Sequence, residues 1–288
     1  MKSGKKVLMY AGIFAVLFII YYAFGHPFFN GNRLTMFVCV MALSVTILYY
    51  IARANGGAKI YLRTIPGLKA FDEAVGRATE MGKSVLYVPG IMDMDQVETV
   101  AGVIILGHVA KMTASYETNL NVPVSRSIVM EASREIVKES YMSVGRPDLF
   151  NDDMVHYLTD EQFAYAAGVD GIMLREKPAA CFYQGKFYAE SLILAETGNS
   201  IGAIQIAGTA SPSQIPFFVT ACDYTLIGEE FLTASAYLSQ KPALLGSVKG
   251  QDMGKFIVMI AIVLIFILNG FHDLGWIDID FQELLRVQ

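Results

Sequence analysis

The chain has 288 residues, 54% hydrophobic and only 17% charged, with a formal net charge of −5 and a mean hydropathy of +0.43. Ordinary soluble proteins sit near about 45–50% apolar, so a wholly water-facing chain is excluded, and the acidic balance without a long basic run excludes nucleic acid as a partner. The cysteines Cys39, Cys181 and Cys222 are odd in number and form no CxxC, so no disulfide framework is implied.

The apolar excess is concentrated at the two ends. Val7–Phe24 and Leu34–Ala52 are uncharged runs long enough to cross about 30 Å of hydrocarbon as helices. "MKSGKK" makes a fair signal-peptide leader, but the run exceeds a signal core and no A-x-A-like site follows, which favours a retained anchor. A third span is predicted over Phe256–Phe271, shorter, with Lys255 able to snorkel at one end and Trp276 at the other.

Lys2, Lys5 and Lys6 precede the first run, Arg53, Lys59, Arg63 and Lys69 follow the second, and Lys249 and Lys255 precede the third. Loop 25–33 holds only Arg33, and the tail sets Arg286 against Asp273, Asp278, Asp280 and Glu283. Positive-inside counting therefore predicts a membrane protein with a cytoplasmic N-terminus and middle and an extracytoplasmic acidic tail. The predicted organisation is an N-terminal hairpin over 1–52, an α/β domain over 53–252, and a final span and tail over 253–288.

Within the middle region, helical and strand-like segments alternate. Ala70–Met81 is a predicted helix, followed by the strand "SVLYVPG" and a long helix from about Met94 to Tyr116. "NLNVPVS" leads into a helix over Ser127–Val144, and "MVHYL" into the helix within "TDEQFAYAAGVDGIMLREK". "AACFYQG", "AIQIAG" and "DYTLIG" each precede a further helix. Short strands, apolar on both faces and each followed by a helix, predict an open, doubly wound, mostly parallel sheet of about six strands. A closed barrel calls for about eight such units.

The long helix over Met94–Tyr116 is apolar almost all round, so something covers most of it. Internal burial and self-association explain this equally well, and Gly102 and Gly107 would permit close approach of a second helix. "CFYQGKFYAES" places Phe182, Tyr183, Phe187 and Tyr188 around a Gly turn, as core, partner surface or ligand wall.

Ligands of open parallel sheets bind beyond the carboxyl ends of the strands. Polar residues at the predicted ends include Asp93, Thr159, Asp160, Glu190, Thr209, Ser211 and Gln214. Helix capping accounts fully for Ser211-Pro212 and Thr159-Asp160-Glu161 and is preferred to a ligand there, since free N–H groups at a helix start take Ser, Thr or Asp side chains and Pro suits the first helical position. Asp93, Asp95 and Glu98 near one helix start suit the helix dipole without any metal. A Cys181–His156–Asp nucleophile set is conceivable, yet two cysteines in apolar strands are ordinarily small buried hydrophobes. GxxxxGK[ST], a strand-following GxGxxG, GxSxG and HExxH do not occur, so no cofactor, metal or catalytic residue is assigned.

Leu174–Asp252, "LREKPAACFYQG…GSVKGQD", with "IPGLKAFDEAVGRATEMGKSVLYVPGI" before it, resembles an uncharacterised family of bacterial membrane proteins, a domain of unknown function. The resemblance runs over roughly Ile65–Asp252 and implies a bacterial membrane protein of this arrangement, hence an inner-membrane location, without implying any functional residue. Two functional expectations follow. The first is a membrane-anchored, homo-oligomeric scaffold or subunit of a larger membrane complex, acting by protein contact through Gly102, Gly107, Phe182, Tyr183, Phe187 and Tyr188. The second is a small-molecule sensor or enzyme with its pocket at the strand ends.

Overall fold

The computed structural model describes residues 34–61 and 65–273, together with the helical positions Gly12, Val16 and Ile19. The run predicted over Val7–Phe24, the loop 25–33 and the tail beyond Asp273 otherwise lie outside the described residues. The chain divides into two compact units, Arg63–Ser239 and the terminal segments Met1–Leu62 with Gln240–Gln288.

In the terminal unit, α1 (Leu34–Asn55) packs against α9 (Pro242–Asp273). The run predicted over Phe256–Phe271 is the second half of this 32-residue helix, which is about 48 Å long at 1.5 Å per residue. Three glycines let the two backbones meet. A Cβ on Gly246 would lie 2.7 Å from Ile51 Cα, one on Gly250 would lie 2.6 Å from Ile47 Cα, and one on Gly254 would lie 2.8 Å from Leu43 Cδ2. The numbering runs in opposite directions on the two helices, so they pair antiparallel through a four-residue glycine repeat, a spacing that brings membrane helices close.

The elements of the other unit run in chain order: α2 (Lys69–Glu80), β1 (Val85–Val88), α3 (Val97–Ser115), β2 (Leu120–Val124), α4 (Ser127–Ser143) and β3 (Val155–Tyr157). They continue with α5 (Gln162–Glu176), β4 (Ala180–Gln184), α6 (Glu190–Ser200), β5 (Ile204–Thr209), α7 (Ile215–Ala221), β6 (Tyr224–Ile227) and α8 (Glu229–Ser239). The six strands form one sheet in the order β3-β2-β1-β4-β5-β6. Every pairing is parallel, with Val85 in register with both Leu120 and Ala180. This is the doubly wound order, whose chain reverses direction across the sheet between β1 and β4.

Alternation along the strands feeds two cores. Val85, Tyr87 and Phe182 join the side chains of α2, α3, α4 and α8 on one face. Leu86, Val88, Cys181 and Tyr183 join those of α5, α6 and α7 on the other. Period-2 patterning with both faces covered makes the strands read as continuous apolar runs.

By length and composition, three described helices are apolar enough to span a membrane: Met36–Asn55, Val97–Ser115 and Pro242–Gly270. Burial separates them, since 67% of the middle one is buried within the structure, against 0% and 6% for the others. Helix α3 is apolar all round because α2, α4, α8 and the sheet cover it. Gly102 and Gly107, expected as contacts for a second copy, are internal. A Cβ on Gly102 would overlap the Gln184 carbonyl oxygen, and one on Gly107 would lie 2.9 Å from Ile136 Cγ2.

Candidate functional site

The reversal of winding between β1 and β4 is where a doubly wound sheet ordinarily opens a crevice. Here it is bridged by backbone. Gly90 has φ +83° and Gly185 φ +150°, conformations that favour glycine. A Cβ on Gly90 would lie 2.6 Å from Lys186 O. Ile91 N–H donates to that same carbonyl at 3.1 Å.

Beyond this bridge, on the β4–β5 side, polar side chains close on one another. Glu190 is fully buried; it accepts from Tyr188 N–H at 2.8 Å and from Gln162 Nε2 at 2.5 Å. Ser191 Oγ donates to Gln214 Oε1 at 2.7 Å, and Ser211 Oγ donates to Glu98 Oε1 at 3.1 Å. Lys186 Nζ donates to Gln96 Oε1 at 2.9 Å and lies 3.9 Å from Glu98 Oε2. Thr209 Oγ1 accepts from Ser211 N–H at 3.2 Å. Two buried atoms here, Thr99 Oγ1 and Gln184 Oε1, have no hydrogen-bond partner among the described residues.

On the β1–β3 side the strand ends open into a cleft of about 430 Å³. The β1–α3 loop supplies Asp93, and the β2–α4 junction supplies Ser125, Arg126 and Ser127. Met130 on α4, Tyr157 at the end of β3, and Asp160 complete the wall. Ser125 Oγ donates to Ile91 O at 3.0 Å and Arg126 Nε to the same carbonyl at 3.3 Å, which anchors the guanidinium at the rim. Arg126 and Asp160 stand 3.8 Å apart, with 37% and 67% of their side chains exposed. Asp93 Oδ1 accepts the Met94 N–H at 2.7 Å. Arg126 is the N-cap of α4, and its donor-only side chain makes no capping bond there.

Of the seven strand-end residues expected to bind a ligand, Asp93 and Asp160 share this cleft. Thr159 accepts from Glu161 N–H at 3.3 Å in the turn before α5, and Glu190, Thr209, Ser211 and Gln214 belong to the closed side. The capping account holds at Thr159-Asp160-Glu161, where Glu161 supplies the cap, and is corrected at Ser211-Pro212. Helix α7 starts at Ile215, three residues beyond Pro212, with Gln214 as N-cap, and Ser211 turns to Glu98 instead. Helix α5 is capped by Glu161, whose carboxylate accepts from Phe163 and Ala164 N–H, which leaves Asp160 to the cleft.

Tyr157, Met130 and Ser127 complete the wall without having stood among the expected binding residues, and Gln96, Glu98 and Lys186 do the same for the closed network. Only their place beyond strand ends signalled them.

The expected aromatic surface is mostly core. Phe182, Tyr183 and Phe187 are fully buried, and only Tyr188 is exposed. Phe182 packs on Phe71 with ring centres 5.1 Å apart, and Phe187 on Phe218 at 5.2 Å. Cys181 is buried in β4, separated by two intervening strands from His156 in β3. Burial pushes its thiol up to about 12, which removes the thiolate a nucleophile needs. His156 Nδ1 faces the Asp153 carbonyl at 3.3 Å. Asp93 lines the cleft while Glu98 turns to Ser211, and no three His, Cys, Asp or Glu side chains converge among the described residues.

The family "Domain of unknown function (DUF6754)" matches residues 25–278. The chain belongs to the DUF6754 family. No curated protein and no solved structure matches it. The DUF6754 match extends past the α/β unit into α1 and α9, so the apolar helix pair is part of what defines the family.

Proposed function

We propose that this chain is a membrane-associated binding protein whose α/β unit holds a small polar molecule in the Asp93–Arg126–Asp160 cleft. One observation carries the reading. Along a single sheet edge, the β4–β5 side chains largely satisfy one another, whereas the β1–β3 side keeps a 430 Å³ space with charged groups left loosely paired. A concave site of a few hundred Å³ with a few convergent polar groups is the ordinary form of a small-molecule site. The distribution of basic residues supports a cytoplasmic α/β unit at an inner membrane.

The test is ligand-observed NMR on the full-length protein in detergent against a broad panel of polar metabolites. Binding that disappears in Arg126→Ala, with the melting temperature retained, supports the cleft. Hits indifferent to Arg126→Ala, or no hit in any class, would sink it.

A second reading, protein contact, draws on exposed Phe163, Tyr188, Ile193, Phe217 and Val219 on and beside the helices covering one sheet face. A particle in mild detergent well above 31.7 kDa plus its micelle supports that reading. A monomer removes self-association from it.

A further inference from the structure

We propose that the ligand is a zwitterion of the α-amino-acid class, an inference that rests on the cleft being the binding site. The wall carries one guanidinium, Arg126, and two carboxylates, Asp93 and Asp160. A dianionic phosphate placed there faces two like charges, a juxtaposition that disfavours it. A simple cation leaves Arg126 without a use, and a simple anion leaves both carboxylates facing it. A molecule carrying both charges close together answers all three groups.

The spacing agrees. In an α-amino acid the ammonium and carboxylate hang from one Cα on bonds of about 1.5 Å. That separation lets the two ends lie side-on across an Arg and an Asp which stand 3.8 Å apart without a hydrogen bond, one end against each. Their mutual attraction is easily exchanged, because exposed ion pairs are weak. Setting the ligand carboxylate beside Arg126 and its ammonium beside Asp160 replaces one loose pair by two charge-assisted ones.

The surroundings assign the ends. Ile91 O holds Arg126 Nε and so presents the rest of the fork to the cleft. Ser127 and the start of α4, where Arg126 as N-cap makes no side-chain capping bond, lie beside it and favour the anionic end. Asp93 Oδ2 has no hydrogen-bond partner among the described residues and shares the wall with Asp160, which together favour the cationic end. Met130 and Tyr157 supply an apolar and aromatic wall for a side chain. The volume leaves room for a large one.

The experiment is isothermal titration of the full-length protein in detergent with free amino acids, their N-acetyl and carboxamide derivatives, and nucleoside monophosphates. The expected result is binding of free amino acids, weakened at least about tenfold by blocking either end, since a charge-assisted hydrogen bond contributes about that much. Arg126→Lys retains part of the affinity while Arg126→Ala and Asp160→Asn lose it, all three melting like the parent. Binding of phosphates that is lost in Arg126→Ala would overturn the zwitterion and leave the cleft standing. Amino-acid binding unchanged in both Arg126→Ala and Asp160→Asn would overturn both. No amino acid binding at millimolar concentration overturns the zwitterion, and the broad metabolite panel then judges the cleft by itself.

Discussion

The two halves of the sheet's carboxyl edge are made of similar residues and put them to different uses. Beyond β4 and β5, Glu190 takes hydrogen bonds from Gln162 and Tyr188, Gln214 from Ser191, and Glu98 from Ser211. Beyond β1 to β3, Asp93, Arg126 and Asp160 border open space and are loosely tied. A buried polar group must find a partner inside the fold or lose the free energy of leaving water. A half-exposed one keeps its partner in water and can exchange it for a ligand. Polar residues at strand ends are thus divided by burial, and the division falls at the backbone bridge between Gly90 and Lys186.

Substitutions sharpen that contrast, beginning with the most damaging. Gly102→Leu sets a side chain against the Gln184 carbonyl and should unfold the α/β unit. Loss of the cooperative melting transition by circular dichroism checks it, and a well-folded variant would break the account of α3 as internal. Glu190→Ala deletes the centre of the closed network and should destabilise by about 1–3 kcal/mol, read from denaturant midpoints.

The next effect depends on pH. The Cys181 thiol, pushed up to about 12 by burial from its ordinary value near 9, keeps its proton in the folded state where the unfolded chain has lost it. Folding is therefore favoured fully below about pH 9 and loses stability as pH rises toward 12. Buried Tyr87, Tyr165 and Tyr183, also raised by burial, act in the same direction at higher pH. Cys181→Ala should flatten the alkaline decline in melting temperature between pH 9 and 11. An unchanged slope would show the thiol is not sealed in.

The smallest effect is expected in the cleft. Arg126→Ala and Asp160→Asn should each shift stability by no more than about 0.5 kcal/mol, as ordinary surface substitutions do. A shift of several kcal/mol in either would erase the distinction between the two halves.

Much of the architecture was legible beforehand, for a physical reason. Strands covered on both faces must be apolar throughout, so "VLYV", "ACFY" and "IQIA" announce themselves between helical segments. The site was legible only in part. Asp93 and Asp160 stood at strand ends, but so did Glu190 and Ser211, and nothing local separates a carboxylate facing Gln162 from one facing a cleft. The capping assignment at Ser211 failed for the same reason, because its hydroxyl could accept from a helix N–H or donate to a distant carboxylate, and that carboxylate, Glu98, is 113 residues earlier. The glycines 246, 250 and 254 carried a visible period, but its meaning needed α1 as partner.

By itself, then, the amino-acid order determined the alternation of strand and helix, the sheet's parallel winding and the apolar character of both chain ends, all of which follow from local hydrophobic period. Tertiary structure alone decided that α3 is a core helix, that Phe182, Tyr183 and Phe187 face inward, and which half of the sheet edge stays open. Those outcomes depend on what lies opposite each side chain, and that is set by residues far away along the chain.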